Sequence, residues 1–118
     1  MPTKSEFSIS VATQDGLSIF TLAGVFDAAA GVAFEQQLVP LLAAGTPRLI
    51  LDLAAVRYIA SAGVGLLVSC NRRCAARGGV LVLARPSEPL REIFITLNLP
   101  TILAICNSLE MAKARAAG

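Results

Sequence analysis

The 118-residue sequence contains no histidine and no tryptophan, and only 15% of its residues are charged. The absence of imidazole removes the commonest metal ligand and proton-transfer group of enzymes. No apolar stretch approaches the roughly 20 residues of a membrane-spanning helix. Residues 1–6 lack the apolar region of a signal peptide. We therefore expect a cytoplasmic protein with no membrane insertion.

Charge and cysteine are also scarce. The formal net charge is only +2, and no Lys/Arg run is longer than Arg72-Arg73, which argues against nucleic acid as a partner. An odd count of three cysteines, without a secretion signal, argues against a disulfide framework. Cys70 and Cys74 share one face of a predicted helix, where we interpret them as small hydrophobic residues, one of them buried, rather than as half of a metal site. No metal and no cofactor is predicted.

The first half of the chain predicts an antiparallel hairpin followed by a helix. Residues 7–11 and 17–22 alternate in polarity around Asp15-Gly16, a strong turn signal, and the second strand is the more apolar. Residues 24–27 are predicted as a loop. Asp27 is predicted to cap a helix that runs to about Ala44. The residues expected on its buried side are Val32, Leu38, Leu41 and Leu42.

The second half alternates strands and helices. Residues 47–53 predict a strand buried on both faces, followed by a turn over residues 54–60. Ser61 is predicted to cap a helix that ends near Arg77, before Gly78-Gly79. The remaining predicted elements are a strand at 80–84, a helix at 88–97 capped by Ser87, a strand at 101–106 and a last helix capped by Asn107 or Ser108.

This order predicts an α/β protein with one mixed sheet of four to five strands. The antiparallel hairpin opens the sheet, and about four α-helices cover it. Right-handed crossovers would place the later strands side by side and largely parallel. No linker or repeat divides the chain, so a single domain over residues 1–118 is expected.

One segment is more informative than the rest. Residues 49–67 read LILDLAAVRYIASAGVGLL, a buried strand that leads through a loop into Ser-Ala-Gly-Val-Gly at the start of a helix. This segment resembles the signature loop of STAS domains. Residues 24–27 (GVFD) resemble that family's turn before the first helix. Residues 90–112 resemble its closing pattern, including Ser-Leu-Glu before the last Ala.

The resemblance implies a STAS fold and the function of an anti-sigma factor antagonist without catalytic activity. Its implied partner is an anti-sigma factor that is also a serine protein kinase, and Ser61 matches the residue that such a kinase phosphorylates. A phosphate at a helix N-terminus would meet free backbone N–H groups and a favourable dipole. The partner-binding residues implied in this way are Asp27, Arg57, Tyr58, Ala60, Ser61, Ala62, Gly63, Val64 and Gly65.

The loop departs from the family pattern at three positions. Ala60 stands where an acidic residue usually precedes the phosphorylated serine, Val25 replaces a commonly charged residue, and Ala62 replaces a second serine. We therefore expect a hydrophobic docking patch around Ser61, formed by Tyr58, Ile59, Ala60, Ala62 and Val64 with Arg57 beside it. Two alternatives stay open: Ser61 is only a helix cap, or the chain binds its partner constitutively.

Other function classes also stay open. The chain could be a STAS subunit, not phosphorylated, of a signalling scaffold or of a lipid-transport complex. An enzyme of flavodoxin-like architecture finds little support, because the sequence offers no histidine, no paired carboxylates at an expected loop and no reactive-cysteine context. Whether the chain forms a homodimer is not decided by the sequence.

Overall fold

The computed structural model describes residues 7–117, so the expectation for residues 1–6 lies outside the described part. These residues form five strands, four α-helices and one short 3₁₀ turn. The strands are β1 (Phe7–Gln14), β2 (Leu17–Phe26), β3 (Arg48–Ile59), β4 (Val80–Ala84) and β5 (Ala104–Cys106). The helices are α1 (Ala28–Ala43), α2 (Ser61–Ala76), α3 (Glu88–Thr96) and α4 (Leu109–Ala117), and the 3₁₀ turn spans Leu99–Thr101.

The five strands form one sheet in the order β1-β2-β3-β4-β5. The β1–β2 hairpin is antiparallel, and the β2–β3, β3–β4 and β4–β5 pairs are parallel. The fold predicted from the sequence, a mixed sheet opened by a hairpin and covered by four helices, is confirmed.

The two faces of the sheet are covered unequally. Helices α1, α2 and α3 enclose the larger core on one face, around Phe20, Phe34 and Phe94. On the other face α4 packs a smaller cluster that includes Ile50 and Val82. The first half of β3 contributes to both cores, and residues 49–53 are all buried. The predicted strand buried on both faces is confirmed.

Three strands are longer than the sequence pattern indicates. Strand β1, predicted over residues 7–11, continues to Gln14. The predicted loop at 24–27 is wrong for residues 24–26, which end β2, and the predicted turn at 54–60 is wrong for residues 54–59, which end β3. These two ends pair with each other from Ala23↔Ala55 to Phe26↔Ile59, with one register shift just before Ala23 and another between Gly24 and Val25. The irregular ladder breaks the period-two pattern, so these strand ends look like loops in the sequence.

The last strand and the apolar face of α1 also differ from expectation. The strand predicted at 101–106 is wrong at its start, because residues 99–101 form the 3₁₀ turn and β5 begins at Ala104. Leu38 and Leu42 of α1 are buried and Leu41 is half-buried, but Val32 is exposed. Val32 was predicted on the buried side; it lies instead beside a groove toward α2.

Two local predictions are confirmed by a hydrogen bond or a dihedral angle, and a third is confirmed by position alone. The backbone N–H of Met111 donates to Ser108 Oγ at 3.1 Å, so Ser108 caps α4. Gly78 has φ +74°, the left-handed conformation expected where α2 stops. Ser87 is the N-cap of α3 by position, but its hydroxyl donates to the Val56 carbonyl instead of bonding its own helix.

Candidate functional site

The predicted site lies where the parallel strands β2 and β3 end side by side. Phe26 and Ile59 pair at the last rung of the ladder, and the backbone N–H of Ala60 donates to the Phe26 carbonyl at 3.0 Å. Helix α1 begins two residues after Phe26, and α2 begins two residues after Ile59. Because parallel strands end at the same edge of a sheet, the N-termini of both helices meet there.

Ser61 is the first helical residue of α2 and is exposed. The N-cap position belongs to Ala60, with φ −86° and ψ 168°, and none of the described side chains caps the helix. The prediction that Ser61 caps α2 is therefore wrong by one residue. Its hydroxyl lies at the surface, at the positive end of a 16-residue helix, where added negative charge is favourable.

Asp27 is the N-cap of α1, as predicted. Its Oδ1 accepts a hydrogen bond from the backbone N–H of Ala30 at 2.9 Å, and the residue is half-buried. The carboxylate thus satisfies one of the free N–H groups that begin the helix. It lines the same groove as Ala62 and Gly65 of α2, which places it beside the helix that begins with Ser61.

The two glycines of the motif have different surroundings. Gly63 is buried, and a Cβ atom there would lie 2.5 Å from the Phe26 carbonyl oxygen and 2.8 Å from Ile59 Cγ1. Gly65 is exposed, and a Cβ atom there would meet nothing within 4 Å. Gly63 therefore allows α2 to lie close to the strand ends, whereas Gly65 lies on the open surface. Because Gly63 is buried, the structure gives no support to its predicted direct contact with a partner.

A shallow apolar groove of about 400 Å³ runs between α1 and α2 from the site. From α2 it is lined by Ala62, Gly65, Leu66 and Ser69. Val32 and Glu35 of α1 form part of the opposite wall. Ser61 therefore adjoins an accessible apolar surface, which exposed groups of a protein partner could fill.

The remaining predicted contact residues divide between surface and core. Arg57 and Tyr58 are exposed, and Ala60 and Val64 are half-buried. Ile59 is buried in the main core, so its inclusion in the apolar patch is wrong. Arg57 lines a separate depression on the sheet with Phe7, Ser8, Ala23, Gly24 and Ala55.

Two ion pairs elsewhere in the fold have no signal in the sequence pattern. Arg85 donates twice to the buried carboxylate of Asp52, at 2.7 and 3.2 Å, and joins the residue after β4 to the middle of β3. Arg73 donates twice to Glu35, at 2.6 and 3.1 Å, and joins α2 to α1. The hydrogen bond to Glu35 raises the pKa of Arg73 above its ordinary value. These partners are 33 and 38 residues apart, so only the tertiary structure identifies them.

The cysteines lie away from this surface chemistry. Cys70, Cys74 and Cys106 are all free and buried, so the expectation that only one of the helical pair is buried is wrong. The hydrogen bond with Cys74 and burial raise the pKa of Cys70.

Within residues 7–117, no cluster of three or more His, Cys, Asp or Glu side chains could hold a metal ion. Over the same residues, every helix is too short or too polar to cross a membrane.

Sequence comparison identifies relatives over most of the chain. A family model described as Mlab, STAS domain, matches residues 9–104. BtrV of Bordetella bronchiseptica, a candidate anti-sigma factor antagonist, is 32% identical over 100 residues, which cover 85% of this chain and 86% of BtrV.

Solved structures show the same fold. An anti-sigma factor antagonist from Mycobacterium paratuberculosis matches with a TM-score of 0.86 and 19% identity, and the match covers 100% of both chains. The Bacillus cell-fate determinant SpoIIAA, in its phosphorylated form, matches with a TM-score of 0.72 and 21% identity over 92% of this chain and 98% of that one. The fold, the signature loop and the family model agree: the chain belongs to the STAS domain family.

Proposed function

We propose that the chain is an anti-sigma factor antagonist whose docking surface surrounds Ser61. Its partner is an anti-sigma factor of the serine-kinase type, and phosphorylation of Ser61 ends the association. The similarity to BtrV, a candidate antagonist 32% identical to this chain, supports the function class. A protein of the same fold, SpoIIAA, exists in a phosphorylated form.

The position of Ser61 is the observation on which the proposal depends. The side chain is exposed, and it sits on the first turn of α2 beside the apolar groove between α1 and α2. A kinase can reach a hydroxyl in this position without unfolding the chain. A bound partner would cover the same hydroxyl, because the groove begins at the next residue, Ala62.

Phosphorylation would change the charge of this surface more than its shape. A phosphoserine adds about −1.5 to −2 charges near neutral pH. The N-terminus of α2 stabilises that charge in the free protein. In a complex, the same phosphate would have to be buried against an apolar surface, which costs free energy unless the partner supplies cations. Binding is therefore expected to fall while the fold is retained.

A binding measurement tests the charge effect. Ser61→Asp should weaken the affinity for the anti-sigma factor at least tenfold, or about 1.4 kcal/mol. Thr46→Asp makes the same charge change at an exposed residue just before β3, whereas Ser61 follows the other end of that strand. This variant should leave the affinity unchanged. Equal affinities for wild type and Ser61→Asp, measured by calorimetry, would contradict the proposal.

Labelling with the partner kinase and ATP tests the modified residue. The wild type should gain one phosphate, and Ser61→Ala should gain none. Ser69→Ala, which removes a half-buried serine from the same helix, should be labelled like the wild type. Labelling of Ser61→Ala would assign the phosphate to another residue.

Ala60 favours a second candidate function. A neutral, apolar residue precedes Ser61, so the docking surface lacks the acidic group expected beside a phosphorylated serine. A STAS subunit that binds constitutively in a signalling scaffold or a lipid-transport complex would need no phosphate. This candidate predicts no labelling by any kinase and a stable, stoichiometric complex that Ser61→Ala leaves intact.

A further inference from the structure

The outer edge of the sheet at β1 lacks the features that usually prevent strand pairing. Within residues 7–117, β1 is an edge strand that pairs only with β2. Its eight residues, FSISVATQ, include no charged residue and no proline, and its register with β2 is continuous from Phe7↔Gly24 to Gln14↔Leu17. Natural edge strands are normally shortened, bulged, charged or interrupted by proline. The opposite edge, β5, is short, with only three residues.

The exposed part of this edge lies toward the hairpin turn. Phe7 and Ile9 pack against the main core, but residues 10–14 are all exposed. Val11 is 37% exposed although it is apolar. Every second residue of an edge strand directs its N–H and C=O away from the sheet. Among residues 7–117, these outward backbone donors and acceptors have no strand partner, and they lie next to an exposed valine.

We infer that a second copy of this chain pairs with β1 to form an antiparallel dimer with a continuous ten-stranded sheet. A strand pairs with its own copy across a two-fold axis perpendicular to the sheet. Helices α1, α2 and α3 of both copies then lie on the same side of the joined sheet. In an antiparallel pair, residues opposite each other lie on the same face, so the axis passes midway between the two copies of one residue. An axis at Val11 pairs residues 8–14 with the same residues of the copy.

Side-chain chemistry selects a second copy as the occupant of this edge. With the axis at Val11, the two exposed valines face each other, Ser10 faces Ala12 of the copy, and Ile9 faces Thr13. Because β1 has no charged residue, no like charges meet across the seam. A charged peptide partner would find no complementary group on the strand.

Cysteine cross-linking tests both the dimer and its register. Val11→Cys places two thiols opposite each other at the axis, where paired strands bring Cα atoms within the range of a disulfide. Mild oxidation of the full chain should give a covalent dimer. Thr13→Cys is the matched control, because its thiols would be offset by four residues, or about 13 Å along the strands. The native cysteines are all buried and should not contribute.

Sedimentation over a wide concentration range gives an independent measurement. The wild type should shift from monomer mass to twice that mass as concentration rises. Val11→Lys should remain monomeric because it sets two cations opposite each other, whereas Val39→Lys, at a residue of α1 that is 52% exposed, should dimerise like the wild type. Far-UV circular dichroism checks that both variants fold.

Two results would overturn this dimer. One is a wild type that stays at monomer mass at every concentration. The other is a disulfide that forms as readily in Thr13→Cys as in Val11→Cys. Neither result would affect the proposal for Ser61, which lies on a different element.

Discussion

At the scale of single residues, the signature Ser-Ala-Gly-Val-Gly divides into a surface part and a packing part. Ser61, Ala62 and Gly65 are exposed, and Gly63 is buried against the strand ends. A sequence pattern identifies the residues of a motif, but it does not show which of them face solvent. Burial of Gly63 follows from the approach of α2 to Phe26, a contact 37 residues distant in the chain.

Identical substitutions at the two glycines should differ in their effect on stability. Gly63→Ala should lower the free energy of unfolding by about 1–3 kcal/mol, because the new methyl group meets a backbone carbonyl that cannot move freely. Gly65→Ala should leave stability unchanged or raise it by up to about 1 kcal/mol, since alanine favours helix and the site is open. Urea unfolding measures both, and a stabilising Gly63→Ala would contradict the packing described.

The cap of α2 shows where residue-level prediction fails. The sequence predicts Ser61 as the N-cap because serine is a preferred capping residue. In the structure Ala60 occupies that position, because β3 continues to Ile59 and the chain turns at the next residue. Because of this shift, the hydroxyl of Ser61 lies at the surface and does not cap the backbone N–H groups of α2.

At the scale of elements, the helices follow from sequence more closely than the ends of β1, β2 and β3. Helix α1 has a capping aspartate, and α2 has two glycines at its end, so both are predicted within about one residue. The ends of β2 and β3 form because they pair with each other. Residues such as Ala54 and Ala55 have low strand propensity, so local sequence alone does not indicate this pairing.

Helix α1 provides a test at this scale. Asp27→Ala should destabilise the protein by about 1 kcal/mol, because the backbone N–H of Ala30 loses its side-chain acceptor. Asp27→Asn keeps an oxygen acceptor and should cost less, although it removes the charge. Thermal unfolding compares the two variants, and equal losses would indicate that charge, not capping, is the larger contribution.

At the scale of the whole molecule, strand order and layering are predictable because connection rules leave few options. Short connections and parallel crossovers lead from the hairpin to the order β1-β2-β3-β4-β5 that the structure has. The ion pairs Asp52–Arg85 and Glu35–Arg73 are not predictable, because each joins residues from separate elements. The groove beside Ser61 is likewise a product of tertiary packing.

The buried thiols report on the integrity of the whole fold. Cys70, Cys74 and Cys106 belong to the two cores on opposite faces of the sheet. The raised pKa of Cys70 also keeps it in the unreactive thiol form. In native buffer, labelling by a thiol reagent should be slow, and with added urea all three sites should react together with the loss of helical signal. Rapid labelling of the native protein would contradict this burial.

The backbone around Ser61 is already held in place before any partner arrives. The bond from Ala60 to Phe26 joins the two strand ends, and the Ser87 hydroxyl holds β3 to the start of α3. A partner that meets such a preorganised surface loses little conformational entropy on this side of the contact. A change of charge at one side chain can then appear directly as a faster dissociation rate, without being absorbed by rearrangement of the loop.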